Sequence, residues 1–320
     1  GATAAYLHWR TYGIFFSFLC VMFRAYYVGI TQTKILTVNS IVMLLSNVAL
    51  NYCLIFGKGG FPAAGIAGAA IASSVSEAVS LLFFIIYTSM TADKRKYGFR
   101  RAFTLRPHLL KGMLSISGGT MVQAFISVSI WFIFFLAIEH LGERPLAVTN
   151  IVRNISALLI MVISAFATTA GALISNQIGA GEQRCLFKTC GMTLKLTYAI
   201  LIPLLIILCL FPESVLRAFT DSPSLIAASV NSVYVMASST LIMAPSFILF
   251  NAVSGPGNTR AGFIMEMISL AVYTAVIYYG IIRLKPDVAL CWFSEHVYGV
   301  TLIFLAWWYL KSGKWRGKKV

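Results

Sequence analysis

The sequence predicts an all-α, polytopic membrane protein of about nine transmembrane helices. Three observations predict it. The 320 residues are 59% hydrophobic and 11% charged, whereas a soluble domain carries roughly 25% charged residues. The mean hydropathy is +0.83. The apolar residues come in long continuous blocks rather than in alternation, so they read as membrane helices and not as barrel strands.

Nine blocks follow one another, at 5–28, 35–56, 64–90, 112–138, 146–176, 188–211, 224–253, 261–282 and 290–310. Most exceed the ~20 residues a helix needs to cross the hydrocarbon core. The first is rich in aromatics and carries Arg10 and Arg24. The second holds Asn47 and Asn51, four apart and therefore on one face. Inside a membrane such amides either bond another helix or line a cavity. The third opens with "GIAGAAIASS", 65–74, which sets Gly65, Ala69 and Ala72 on one face with Gly68 beside them. Small residues at this spacing let helix backbones approach closely. Near the middle of the same block stands Glu77, the one clearly mid-membrane acid. A carboxylate there is poorly solvated when charged unless a cation compensates it. Two readings stay open: a proton-exchanging group, or a polar tie between helices.

The segment 91–111, "TADKRKYGFRRAFTLRPHLLK", is the one long connector, basic with apolar residues between the charges, and reads in part as an interfacial amphipathic helix. The fourth block carries Gln123, Ser127 and Trp131 at four-residue spacing. An amide, a hydroxyl and an indole in one stripe suit an amphipathic ligand, since an aromatic face can hold a cation. The same stripe also fits an ordinary packed face. The fifth block contains "VTNIVRNIS", which groups Asn150, Arg153 and Asn154. A charge at that depth costs at least ~2.5–3.5 kcal/mol on insertion scales. Arg153 therefore either faces a polar interior or snorkels to the surface. The last four blocks are largely apolar, and their Glu266 and Glu295, five or six residues from a span's end, are within reach of water.

Charge placement sets the expected orientation. With alternate loops on alternate sides, one side receives only Lys58, Arg144, Arg217, Arg283 and Lys285. The other receives Lys34, the basic residues of the connector, Arg184, Lys188, Arg260 and the tail's Lys311, Lys314, Arg316, Lys318 and Lys319. The positive-inside rule makes the richer side cytoplasmic, so residue 1 starts outside and Val320 ends inside. Topology and anionic lipid account for the net charge of +15. Nucleic-acid binding is not expected, because no soluble domain presents the charge. The six cysteines show no metal or disulfide spacing and read as small buried hydrophobes. The four histidines form no cluster, so neither a metal, a cofactor nor a catalytic centre is expected.

Two phrases repeat across the chain. "FRAYYVGITQTK", 23–34, and "FNAVSGPGNTR", 250–260, each close one helix and open the next on the same side, with glycine permitting a tight turn. If the first two helices correspond to the seventh and eighth, then the fourth to sixth lack counterparts in the chain. The expectation is three further helices upstream and two six-helix lobes, a plan built from repeats like that of many secondary transporters.

The stretch "SNVALNYCLIFGKGGFPAAGIAGAAIASSVSE" (46–77), the "GNTR" at 257–260 and the "SNQIGAGE" closing a helix at 175–182 resemble the multidrug and toxin extrusion (MATE) family. The resemblance covers essentially the whole chain, as helices four to twelve of a twelve-helix, two-lobe fold. It implies residues 1–90 as the rest of an N-terminal lobe, 91–111 as the cytoplasmic inter-lobe linker, 112–311 as the C-terminal lobe and 312–320 as a basic tail. It implies export of drugs or other amphipathic, often cationic, compounds by alternating access, against H⁺ or Na⁺, by a monomer in the plasma (inner) membrane. Substrate and ion pathway candidates are Glu77, Gln123, Ser127, Trp131, Asn150, Arg153, Asn154, Asn47, Asn51 and Arg24. The sequence departs from the family where many members carry an acid in the seventh helix, since Gln123 and Ser127 stand there, and where some carry Asp in the tenth, which reads "TLIMAPSFILF". The alternative within the superfamily is a flippase for lipid-linked sugars, whose cavity would be strongly basic. A membrane-embedded enzyme would need a nucleophile–base pair or a metal cluster at depth, and the sequence offers neither. A passive channel or scaffold would carry no substrate-coupled ion flux.

Overall fold

The computed structural model describes residues 2–91, 107–182 and 185–313. The chain divides into two compact units, Gly1–Leu105 and Arg106–Val320. Nine helices among the described residues are long and apolar enough to cross a membrane. Of the 91–111 connector, residues 92–106 lie outside the described residues, as do 314–320 of the tail.

The first unit holds α1 (Ala2–Gly29), α2 (Lys34–Phe56) and α3 (Gly65–Thr91). α3 is the middle helix, packed along both α1 and α2, which barely meet. Small residues make this possible, because α3 buries Gly68, Ala70, Ala72, Ser74, Ser76 and Ser80. A Cβ on Gly68 would stand 2.5 Å from the Leu54 carbonyl oxygen, so α2 and α3 meet backbone to backbone. The close contact thus runs through Gly68 and not through Gly65, which is exposed and opens the helix at φ +53°. Lower in the bundle Phe23 stacks on Phe84 with ring centroids 5.5 Å apart, and the Tyr27 and Thr88 hydroxyls pair at 2.7 Å.

The second unit runs α4 (Pro107–Glu139), α5 (Glu143–Gly179), α6 (Leu186–Leu210), α7 (Pro212–Leu216), α8 (Pro223–Ser254), α9 (Thr259–Val276), a π-helical segment Ile277–Arg283, α10 (Val288–Cys291) and α11 (Ser294–Lys311). α4 begins at Pro107, inside the stretch read as connector; proline suits a first helical turn, where its missing N–H costs nothing. α5 and α8 are the central pair. A Cβ on Gly171 of α5 would lie 3.0 Å from the Asn251 carbonyl oxygen, and one on Gly255 would lie 2.9 Å from the Gly171 Cα. α6 covers one side of this pair, α11 packs on α8 and α9, and α4 packs on α9. The core between them is Ile, Leu, Val and Met, including Ile155, Ile163, Leu201, Val233 and Met236.

Two expected spans are interrupted. The eighth is α-helical only to Val276 and then widens into the π-helical segment. The ninth starts with the short α10, capped by the Asp287 carboxylate accepting from the Val288 N–H at 2.8 Å, and α11 begins anew at Ser294. The repeated phrases both form inter-helix turns, but in the first the left-handed residue is Thr31 (φ 61°), not glycine, whereas the second uses Gly257 (φ 84°). The outer faces are apolar: Met90, Phe125 and Met161 are 81%, 74% and 72% exposed. Surfaces of this kind belong in lipid, not water.

Candidate functional site

The second unit encloses a cavity of about 260 Å³ between α4, α5, α8, α9 and α11. Its walls include Val128, Ile160, Met243, Phe247 and Leu270, and its polar groups are Ser127, Glu266, Tyr273, Glu295 and Tyr298 beside the Trp131 indole. Helical spacing supplies the polar groups. Glu266 and Tyr273 are seven apart on α9, and Glu295 and Tyr298 three apart on α11, so each pair shares a face. α9 and α11 exchange hydrogen bonds in both directions. The Tyr298 hydroxyl donates to Glu266 Oε1 at 2.8 Å, and the Tyr273 hydroxyl donates to Glu295 Oε1 at 2.7 Å. The two tyrosine rings meet edge to face at 5.8 Å. Ser127 of α4 adds a third donor, reaching Glu266 Oε1 at 3.1 Å. One carboxyl oxygen therefore gathers three helices.

Glu266 is buried, with 6% of its surface exposed, and Glu295 is partly buried. The expectation that both stand within reach of water is thus corrected for Glu266, while Glu295 keeps part of its surface open. Depth along a helix does not set exposure when neighbouring helices cover that face. Among the described residues no basic group lies within 4 Å of either carboxyl, and Arg10–Glu77 is the sole ion pair there. Hydroxyl donors satisfy the carboxyls without neutralising them. A charged carboxylate in a cavity of low dielectric attracts a positive group strongly.

Of the stripe on α4, Ser127 and Trp131 line this cavity. Gln123 is partly buried, and its backbone carbonyl, 2.9 Å from the Ser127 hydroxyl, competes with Glu266 for that hydroxyl's single proton. Arg153 lies against the same aromatic wall, its Cζ 5.4 Å from the Phe135 centroid and 6.0 Å from that of Trp131. Its buried Nε has no hydrogen-bond partner. The rest of that polar stripe disperses: Asn150 donates to the Leu146 carbonyl of its own helix at 3.1 Å, and Asn154 is exposed.

A separate polar cluster holds the first unit together. Arg10 Nη2 donates to Glu77 Oε1 at 2.7 Å, so the mid-membrane acid does have a compensating cation, supplied by α1. Gly13 leaves room for the pair, since a Cβ there would lie 2.6 Å from Ser74 Oγ and 2.7 Å from Glu77 Oε2. Glu77 Oε2 and Arg10 Nη1 are buried without further partners. One turn on, Asn39 of α2 and Ser80 of α3 exchange hydrogen bonds at 2.8 and 3.1 Å. Neither Asn39 nor Arg10 stood among the expected residues. Asn47 and Asn51 bond each other at 2.9 Å along α2, and Arg24 is exposed on α1.

Continuous apolar helices around an internal cavity with buried acids define a multi-pass, all-α membrane protein whose polar chemistry is inside the helix bundle. The family model described as MatE matches residues 120–279, half of the chain. The chain belongs to the MatE family. It is 25% identical over 263 residues to the uncharacterized transporter YisQ of Bacillus subtilis, covering 80% of this chain and 56% of that protein. It is 25% identical over 291 residues to the probable multidrug resistance protein NorM of Thermotoga maritima, covering 86% and 59%. The chain spans about half the length of the curated relatives it matches. Among solved structures, the Vibrio cholerae MATE transporter VcmN in the bent form matches with a TM-score of 0.79 at 12% identity, over 96% of this chain and 69% of that one. An outward-facing multidrug resistance MATE transporter of the MOP superfamily matches at 0.75 and 16% identity, over 86% and 61%. At such identities the likeness shows the fold alone.

Proposed function

We propose that the protein exports amphipathic, often cationic, compounds across the plasma (inner) membrane, by alternating access and in exchange for H⁺ or Na⁺. The observation that carries this reading is the α9–α11 cavity, in which two carboxyls are held by tyrosine and serine hydroxyls and, among the described residues, have no basic partner within 4 Å. A cation entering from one side relieves the uncompensated charge there, and its departure to the other side restores it. Trp131 supplies the aromatic wall an amphipathic cation needs. Relatives named as multidrug resistance proteins support the substrate class. The lipid-linked sugar reading fits less well, because a cavity with two acids repels a pyrophosphate. The protein works as a monomer in this reading, with its C-terminus in the cytoplasm.

The test is efflux of a fluorescent cationic amphiphile from proteoliposomes under an imposed H⁺ or Na⁺ gradient. Glu266→Gln and Glu295→Gln keep size and hydrogen bonding but remove the charge, and each should collapse gradient-driven export at unchanged protein level. Arg153→Ala should change which compounds are exported. Gradient-driven export that survives both glutamine variants would move the exchange site elsewhere.

A further inference from the structure

α8 carries a proline well inside its length. Pro245 has no N–H, so it cannot donate to the carbonyl four residues back, which belongs to Leu241. A neighbouring helix fills the gap: the Tyr198 hydroxyl of α6 donates to the Leu241 carbonyl at 2.8 Å. Just before the proline, three successive hydroxyls bond carbonyls of the preceding turn. Ser238 donates to Val235, and Ser239 and Thr240 both donate to Met236, each at 2.8 Å. Back-bonding of this kind loosens and bends a helix. The two halves of α8 are anchored to different partners. Before the proline, Ser238 Oγ lies 2.9 Å from His296 Nε2 of α11. Beyond it, the Asn251 carbonyl and Gly255 lie against Gly171 of α5. Met243 and Phe247, two residues before and two after Pro245, both line the cavity.

We propose that Tyr198 is a positioning residue for transport, holding α8 at a pivot formed by Pro245 about which the two halves of α8 carry the cavity walls. Two independent features soften α8 at that level, the missing N–H and the run of back-bonded hydroxyls. A helix that lacks an internal bond bends there first. The freed Leu241 carbonyl, left unpaired in hydrocarbon, would be costly. Tyr198 satisfies it from outside the helix, so the two halves stay unconnected by that bond. An N–H supplied by α8 itself would connect them. A bend at Pro245 changes the separation of Met243 from Phe247, and with it the cavity beside Glu266 and Glu295. The pivot's use in transport rests on the export reading; the tether and the pivot themselves do not.

A double-mutant cycle on the purified full-length protein tests it, read by thermal melting, hydrogen–deuterium exchange and export from proteoliposomes. Tyr198→Phe removes one hydroxyl and keeps the ring. It should lower the melting temperature by about 2–4 °C, the shift expected for one hydrogen bond. Pro245→Ala restores the missing N–H, so Tyr198→Phe should cost far less in that background. Amides of residues 243–249 should exchange more slowly in Pro245→Ala than in the parent. The same variant should lower the maximal export rate about fivefold, since one further hydrogen bond must break at each turnover. Its half-saturating substrate concentration should stay unchanged, because the cavity groups remain in place. Equal melting losses for Tyr198→Phe in the two backgrounds would overturn the tether. Unchanged amide exchange in Pro245→Ala would overturn the pivot, as would an unchanged maximal rate. A parent that exports nothing would sink the export reading instead, with melting and exchange still deciding tether and pivot.

Discussion

Arg10 and Glu77 illustrate how one contact changes the meaning of a residue. Read along its own helix, Glu77 is a lone acid at mid-depth. In the fold it accepts from Arg10 at 2.7 Å, and the guanidinium supplies the compensation that its depth demands. The contact ties α1 to α3. Breaking a fully buried pair costs roughly 3–5 kcal/mol, while exposed pairs are worth roughly 0–1. With the Arg10 side chain 32% exposed, an intermediate loss of about 2 kcal/mol is expected from Glu77→Gln. Arg10→Met combined with Glu77→Leu should recover most of that loss, since removing both charges strands neither. Thermal unfolding in detergent of the parent, Arg10→Met, Glu77→Leu and the double variant measures the cycle. A double variant as unstable as the sum of the two singles would dismiss the tie. Efflux and its pH dependence should survive Glu77→Gln, in contrast to Glu266→Gln.

Elements were legible in the sequence to the extent that they follow from composition. The block read as 64–90 is α3 at Gly65–Thr91, and that read as 35–56 is α2 at Lys34–Phe56. Hydrophobic length sets such boundaries, and the bilayer fixes the length. The π-helical turn at Ile277–Arg283 was not legible, because its apolar residues fit an α-helix equally well and only the hydrogen-bond register differs. Arg10–Glu77 and Asn39–Ser80 were not legible either, since each joins helices whose mutual rotation is a tertiary fact. Glu266 and Tyr273, like Glu295 and Tyr298, share a helix face by spacing alone, but depth along a helix does not reveal which face a neighbouring helix covers. Close packing is where an element's sequence can be tested most sharply. Gly68→Leu would drive a side chain into the Leu54 carbonyl region, where even a Cβ finds an atom at 2.5 Å. Overpacking of this kind costs typically 1–3 kcal/mol, and more against backbone, so the variant should lose thermal stability and monodispersity in detergent. Gly29→Ala, with open space around it, should stay within about 0.5 kcal/mol of the parent. Equal behaviour of the two variants would show that α2 and α3 do not depend on the glycine contact.

At the scale of the whole molecule, the open question of orientation has a definite physical form. The turns at 30–33, 57–64, 140–142 and 255–258 are short, so the helices they join must run in opposite directions through the bilayer. These turns barely discriminate the two sides: Lys34 and Arg260 fall on one, Lys58 and Arg144 on the other. The decision rests on the connector's Lys94, Arg95, Lys96, Arg100 and Arg101 and on the tail's Lys314, Arg316, Lys318 and Lys319, all outside the described residues. Basic residues close to span ends resist translocation, and acids contribute little, so the connector should hold its side in the cytoplasm. Single cysteines at Lys34, Lys58, Arg144 and Arg260, in a background with the six native cysteines replaced, read out the result. An impermeant maleimide should label positions 58 and 144 in intact cells, and positions 34 and 260 only after permeabilisation. The reverse pattern would invert the protein and show that the connector's charge does not govern insertion. Labelling of all four from outside would contradict the antiparallel turns themselves.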